Sequence, residues 1–154
     1  MPACRESIAQ QMASMNKLEE LYRGHPHASS WGQFGGLVAD GLVDGAHDVS
    51  TGGLGVCLAE MAARSGVGVT AARVADHAAL FGEGPGRVVV AVDPERLTEV
   101  LAAAEAVEVS TSRIGLATGD RLVVKDLLDV SVEDLRAAHH GKLPAALGSG
   151  TTNR

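Results

Sequence analysis

The residues best placed to do chemistry form one stretch, Gly45-Ala46-His47-Asp48-Val49-Ser50-Thr51-Gly52-Gly53-Leu54. It joins a short apolar run, Leu42–Ala46, to an apolar segment of helical period, so it reads as a strand-to-helix link. The first N–H groups of a helix have no internal partner and carry about half a positive charge from the aligned peptide dipoles. Adjacent glycines there let a ligand approach the backbone, and a phosphate or similar anion suits that field. Ser50 and Thr51 add hydroxyl donors. The competing reading is purely structural, with Ser50 or Thr51 as the N-cap and Gly52-Gly53 as a tight turn. The stretch is not a Walker loop, because no Gly-Lys-Ser/Thr follows. His47 and Asp48 suggest an acid/base couple or metal ligands. Neighbours on a strand point to opposite faces, however, so the two rarely share one ligand. His47 reads first as structural, and Asp48 as a contact to a substrate hydroxyl or to magnesium.

A second stretch, Leu80-Phe81-Gly82-Glu83-Gly84-Pro85-Gly86-Arg87, precedes a valine-rich run. A dinucleotide fingerprint needs a strand before its glycines and a helix after them, and here the order is reversed. Glu83 is then a carboxylate on a glycine-rich loop, either solvated or lining a site. His25 and His27, and His139 and His140, lack further Cys or His at metal-ligand spacing and read as surface residues. Cys57 packs within an apolar helix. No Gly-x-Ser-x-Gly elbow supports a hydrolase. No side chain is assigned a catalytic role, and no metal ligand set is assigned.

The elements that must position these residues alternate in type. Residues 3–22 carry a stripe of Ile8, Met12, Met15, Leu18 and Leu21, which predicts a helix and a docking face. Residues 24–32 read as a linker and 33–40 as a short helix. A helix starts at Leu54 and ends at Ser65-Gly66, apolar on most faces and so covered on more than one side. Weak alternation predicts a strand over 67–71 and a helical turn over 75–80. Residues 87–92 are the clearest strand. Asp93 reads as an N-cap and Pro94 as a first helical position, with Leu97, Val100, Leu101 and Ala104 on the buried face. Residues 113–117 and 121–124 read as a hairpin about Thr118-Gly119-Asp120. Ser131 with Asp134 three residues on opens a final helix. The class is α/β or α+β, a mixed sheet flanked by helices. The domain reading is 1–32 as an N-terminal helix and linker, 33–147 as the folded domain, and 148–154 as a disordered tail.

Composition narrows the function. The 154 residues are 45% hydrophobic and 21% charged, the balance of a globular domain of ordinary size. A net charge of −6 and 3% aromatics argue against nucleic-acid binding, which needs basic surface and stacking platforms. No apolar run is long enough to span a membrane. Two cysteines and no secretory leader pattern suit a reducing cytoplasm.

Around the first stretch the sequence resembles the C-terminal domain of the aminoimidazole-ribonucleotide-synthetase superfamily, and within it phosphoribosylformylglycinamidine synthase. The family reads His-Asp-x-Ser-Asp-Gly-Gly-Leu, followed by a helix with Leu-Ala-Glu-Met-Ala. His47, Asp48, Ser50, Gly52, Gly53 and Leu54 match, as do Leu58, Ala59, Glu60, Met61 and Ala62. Leu80-Phe81-Gly82-Glu83 matches a second motif, and Ile114-Gly115 with the Gly119 turn a third. Thr51 departs from the family's Asp. The resemblance covers about 37–147. It implies an ATP-dependent ligase of purine biosynthesis that converts an amide to an amidine with ammonia from glutamine. It implies that Ser50, Thr51, Gly52 and Gly53 bind the substrate's ribose phosphate, and that His47, Asp48 and Glu83 contact substrate or magnesium. ATP, magnesium, an ATP-binding N-terminal half and a glutaminase are implied for the complete enzyme, as is a homo- or hetero-oligomer. This chain shows neither a nucleotide loop nor a glutaminase triad, so the expectation is half an active site, incomplete alone. The alternative is a non-catalytic binding module that keeps the fold and docks through residues 3–22.

Overall fold

The computed structural model describes residues 40–106 and 109–146. The readings for 3–22, 24–32, 33–39 and 148–154 lie outside the described residues. The elements run β1 (Gly45–Asp48), α1 (Gly53–Ser65), β2 (Val69–Ala71), α2 (His77–Phe81), β3 (Val88–Ala91), α3 (Leu97–Glu105), β4 (Gly115–Ala117), β5 (Arg121–Val124), β6 (Leu128–Ser131) and α4 (Val132–Ala146). This is the expected mixed α/β architecture, with helices against sheet. No described helix is long and apolar enough to cross a membrane.

The chain divides into two compact units. β1 and β3 pair in a two-stranded sheet. Among the described residues the larger unit takes 48–89 and 113–146. Its sheet has the order β4-β2-β5-β6. β2 lies antiparallel to β4, with Thr70 opposite Leu116, and parallel to β5, with Thr70 opposite Val123. β5 and β6 form an antiparallel pair in which Val123 faces Asp129. Alternation along β5 puts Leu122 and Val124 inward, where they meet Leu58 of α1, Ala71 and Leu80. α1 packs on α2, α4 and β5. Burying a side chain such as Leu80 removes about 1.5–3 kcal/mol of unfavourable hydration. The core is aliphatic, as the aromatic-poor composition requires.

The sequence reading joined β4 to β5 as a hairpin, and this is corrected: β2 lies between them. Neighbouring strands are about 4.8 Å apart, so the link must span about 10 Å, within reach of the four Cα steps from Ala117 to Arg121. The link closes around Gly68. Thr118 N–H donates to Gly68 O at 2.8 Å, and Gly68 N–H to Gly119 O at 2.7 Å. A Cβ on Gly68 would lie 2.4 Å from Arg121 O, so only glycine fits. The true hairpin is β5–β6, and β6 is a strand that the sequence reading did not assign. Its turn places Asp126 at φ 64. Ser131 caps α4 as expected: Asp134 N–H donates to Ser131 Oγ at 3.0 Å, and the hydroxyl donates to Asp134 Oδ2 at 2.6 Å.

Among the described residues the smaller unit takes 40–47, 90–106 and 109–112. Two expectations there are corrected. α3 starts at Leu97, not at Pro94, because Asp93 Oδ1 accepts from Glu95 N–H at 2.9 Å and closes a local turn before the helix. Val100 and Ala104 are buried on α3, but Leu101 is 43% exposed, one position off that stripe. Arg96 donates to Gly41 O and lies 3.7 Å from the Asp44 carboxylate. Strand β1 begins three residues later than the reading of 42–46, so His47 and Asp48 end the strand and do not belong to the turn.

Candidate functional site

The glycine turn sits in the larger unit, between Asp48 and the first turn of α1. Gly52 is the N-cap in the left-handed conformation (φ 81), and Gly53 follows it at φ 66. Two consecutive left-handed residues favour glycine, because a Cβ there crowds the backbone. No side chain of the Ser50–Thr51 segment caps α1, and the first turn contains no acidic residue. The structural reading of Ser50 or Thr51 as N-cap is thereby corrected. Ser50 acts through its backbone instead, with Gly53 N–H donating to Ser50 O at 3.0 Å. Both Ser50 and Thr51 are exposed.

The charge that meets this helix terminus comes from 31 residues away. Glu83 Oε1 accepts from Gly52 N–H at 2.9 Å. A carboxylate in this position is favoured by the helix dipole as well as by the hydrogen bond. The second motif is therefore part of the same feature as the first. Packing reinforces the link. A Cβ on Gly53 would lie 2.6 Å from the Phe81 carbonyl carbon and 2.9 Å from Gly82 O. A Cβ on Gly55 would lie 2.8 Å from the Phe81 ring. Gly53 and Gly55 thus let α2 and the loop after it close onto α1. Gly52 differs: the atoms nearest its Cβ would be those of the Val56 side chain.

Two groups complete the surroundings. Arg87 was passed over in the sequence, although a cation directly after a glycine loop and before a strand is a legible signal. Its Nη2 donates to Gly82 O at 2.7 Å and braces the loop carrying Glu83. Cys57, one turn further along α1, is 2% exposed. Burial, with smaller contributions from the Asp48 and Glu60 carboxylates, pushes its thiol from 9.0 up to about 11, against the opposing pull of Arg87. It is a packing residue with little thiolate at neutral pH. Among the described residues, then, the structure brings Gly52, Gly53, Ser50 and Glu83 together, with Asp48 at the end of β1 leading into the turn. His47 belongs to the smaller unit, half-buried one residue before exposed Asp48. Among the described residues no three His, Cys, Asp or Glu side chains converge as a metal site.

Residues 34–126 match the family model described as "AIR synthase related protein, C-terminal domain". The chain belongs to that family. It is 42% identical over 116 residues to the phosphoribosylformylglycinamidine synthase subunit PurL of Sinorhizobium fredii (strain HH103), covering 73% of this chain and 16% of the relative. It is 45% identical over 112 residues to the same subunit of a Nocardioides species, covering 71% of this chain and 15% of the relative. The chain thus spans about a sixth of these relatives' length. Among solved structures it is similar to T. maritima PurL complexed with FGAR, with a TM-score of 0.63 and 20% identity over 73% of this chain and 21% of that one. It is also similar to PurLQS from Thermotoga maritima, with a TM-score of 0.62 and 22% identity over 73% and 22%. At these identities the structural likeness establishes the fold.

Proposed function

We propose that this chain supplies the C-terminal-domain part of a formylglycinamidine ribonucleotide amidotransferase, the ATP-dependent ligase of purine biosynthesis that its curated relatives are named for. In this reading the turn at the start of α1 receives the ribose-phosphate end of the substrate. The observation that carries it is the Gly52–Gly53 turn, left-handed at both residues and set at the N-terminus of a 13-residue helix with no acidic residue in its first turn, within the family's motif. Backbone N–H groups and the Ser50 hydroxyl are the donors in this reading, Thr51 borders them, and Asp48 contacts a substrate hydroxyl. ATP, magnesium, the ATP-binding portion and a glutaminase belong to the complete enzyme. A T. maritima relative solved as PurLQS supports assembly with other chains. The reading as a non-catalytic module has no observation of its own.

The test is calorimetric titration of the 154-residue chain with formylglycinamide ribonucleotide and with its dephosphorylated riboside. The nucleotide binds and the riboside binds at least tenfold more weakly, as loss of one charge-assisted contact requires. Equal affinity for the two removes the phosphate assignment. The chain alone is expected neither to hydrolyse ATP nor to form the amidine, and ATP turnover by the pure chain contradicts the reading as an incomplete part.

A further inference from the structure

We propose that strand β4 is a self-association edge, where a second copy of this chain adds its own β4 antiparallel and joins the two four-stranded sheets into one. The inference is independent of the anion-site reading. β4 is an end strand in the order β4-β2-β5-β6, and among the described residues no strand pairs with its other side. Ala72 N–H donates to Ile114 O at 3.2 Å, Thr118 N–H donates to Gly68 O at 2.8 Å, and Thr70 lies opposite Leu116. Backbone groups alternate sides along a strand, so residues 114, 116 and 118 bond towards β2. Gly115 and Ala117 therefore turn their N–H and C=O groups to the open edge.

That edge lacks the usual protection. Strand edges are blunted by lysine, proline, a bulge or an inward charge. Gly115-Leu116-Ala117 has none of these residues, and Leu116 is 54% exposed, the most exposed large apolar side chain among the described residues. It stands with exposed Thr70 on the sheet face away from buried Ala71. The occupant is a second copy because the edge is its own complement. With Leu116 opposite the partner's Leu116, Gly115 lies opposite the partner's Ala117, and outward-turned residues meet on both sides. Each such pair exchanges two N–H···O bonds, so four bonds close about a two-fold axis. In this register exposed Arg113 comes level with the partner's Gly119, beside the partner's Asp120, so opposite charges meet at both ends. A slide of two residues sets Arg113 opposite the partner's Arg121 instead. The strand is three residues long. The contact buries far less than the roughly 1,000 Å² of a lasting interface, so the dimer is weak and depends on concentration.

The test is sedimentation equilibrium of the 154-residue chain up to about 1 mM, with Ala117→Pro, Leu116→Lys and Leu101→Lys, each fold checked by circular dichroism. Ala117→Pro removes an edge donor and spares the β2–β4 bonds, because the Ala117 N–H faces away from β2. Leu116→Lys sets like charges opposite each other at the axis. Leu101→Lys changes a side chain of similar exposure, 43%, on α3 of the smaller unit. Expected is a monomer–dimer equilibrium in the wild type, unchanged in Leu101→Lys and about tenfold weaker or more in the other two, as loss of two of the four bonds requires. Cross-linking with oxidised glutathione reads the register against the wild-type background. Residues directly opposite in a non-hydrogen-bonded pair have Cα atoms about 4.5 Å apart, so Leu116→Cys forms a disulfide-linked dimer. Thr118→Cys, about 13 Å from its counterpart, does not. A wild type that stays monomeric up to about 1 mM overturns the proposal. So does a dimer that either folded β4 variant leaves unchanged, or one that Leu101→Lys weakens as much. If the β4 variants fail to fold, the cysteine pair decides: cross-linking at 116 alone upholds the proposal, and equal cross-linking at 116 and 118, or none, overturns it.

Discussion

Among the turns of the larger unit that place residues in the left-handed region, two use it differently. At the start of α1, Gly52 and Gly53 occupy it in succession. In the β5–β6 hairpin a single residue does so, and it is an aspartate, Asp126. The hairpin turn projects into solvent, so a side chain costs only local strain, and aspartate is among the residues that tolerate it best. The α1 turn is pressed against other chain segments, so a Cβ there collides with neighbours in addition to the strain. A positive φ alone therefore does not require glycine. What requires it at Gly53 is the backbone of Phe81 and Gly82, within 3 Å of where a Cβ would be.

The contrast is breakable by substitution. The largest effect is expected at Gly53→Ala, where strain of about 1–2 kcal/mol adds to an overlap with backbone that cannot rotate away. The expected loss is about 3–5 kcal/mol by urea denaturation, and a loss under 1 kcal/mol refutes the close approach of α1 and α2.

Next is the pH dependence contributed by Cys57 beneath the turn. Its folded value of about 11 lies above the ordinary 9.0, so the folded chain prefers the neutral thiol. That contribution is complete below pH 9 and is lost as pH rises towards 11, amounting to about 2–3 kcal/mol at about 1.4 kcal/mol per pH unit. Denaturation curves at pH 8 and pH 11 should differ less for Cys57→Ala than for the wild type by this amount. Identical pH dependence in the two proteins removes the buried-thiol account.

Gly52→Ala is expected to cost about 2 kcal/mol, less than Gly53→Ala, because the obstructing atoms belong to the Val56 side chain and not to backbone; rotation of that side chain, which is 38% exposed, relieves the overlap with Cγ2 but not the 2.9 Å approach to Val56 Cβ. If the order of the two glycine variants reverses, the division of roles between them is wrong. The smallest effect is at Asp126→Gly, where relief of left-handed strain is nearly offset by the greater freedom of unfolded glycine. A gain of about 0.5 kcal/mol is expected, and a loss above 1 kcal/mol shows that the aspartate side chain has a role in the hairpin.

The sequence by itself determined the elements whose signals are local. α1 is legible from its apolar run and from Gly66, which ends it in a left-handed C-cap. The start of α4 is legible from Ser131 and Asp134, because a capping box lies within four residues. The glycine turn is legible as a possible anion site for the same reason, since helix polarity and glycine geometry are local properties. Tertiary structure alone decided how β4 and β5 relate. Thr118-Gly119-Asp120 has the composition of a hairpin turn, and nothing within it reveals that β2, some fifty residues earlier, lies between the strands it connects. Tertiary structure also joined Glu83 to Gly52. A hydrogen bond across 31 residues has no period or spacing that a sequence displays. It exists because Gly53 and Gly55 let α2 close onto α1, and that packing carries the Glu83 loop to the helix terminus.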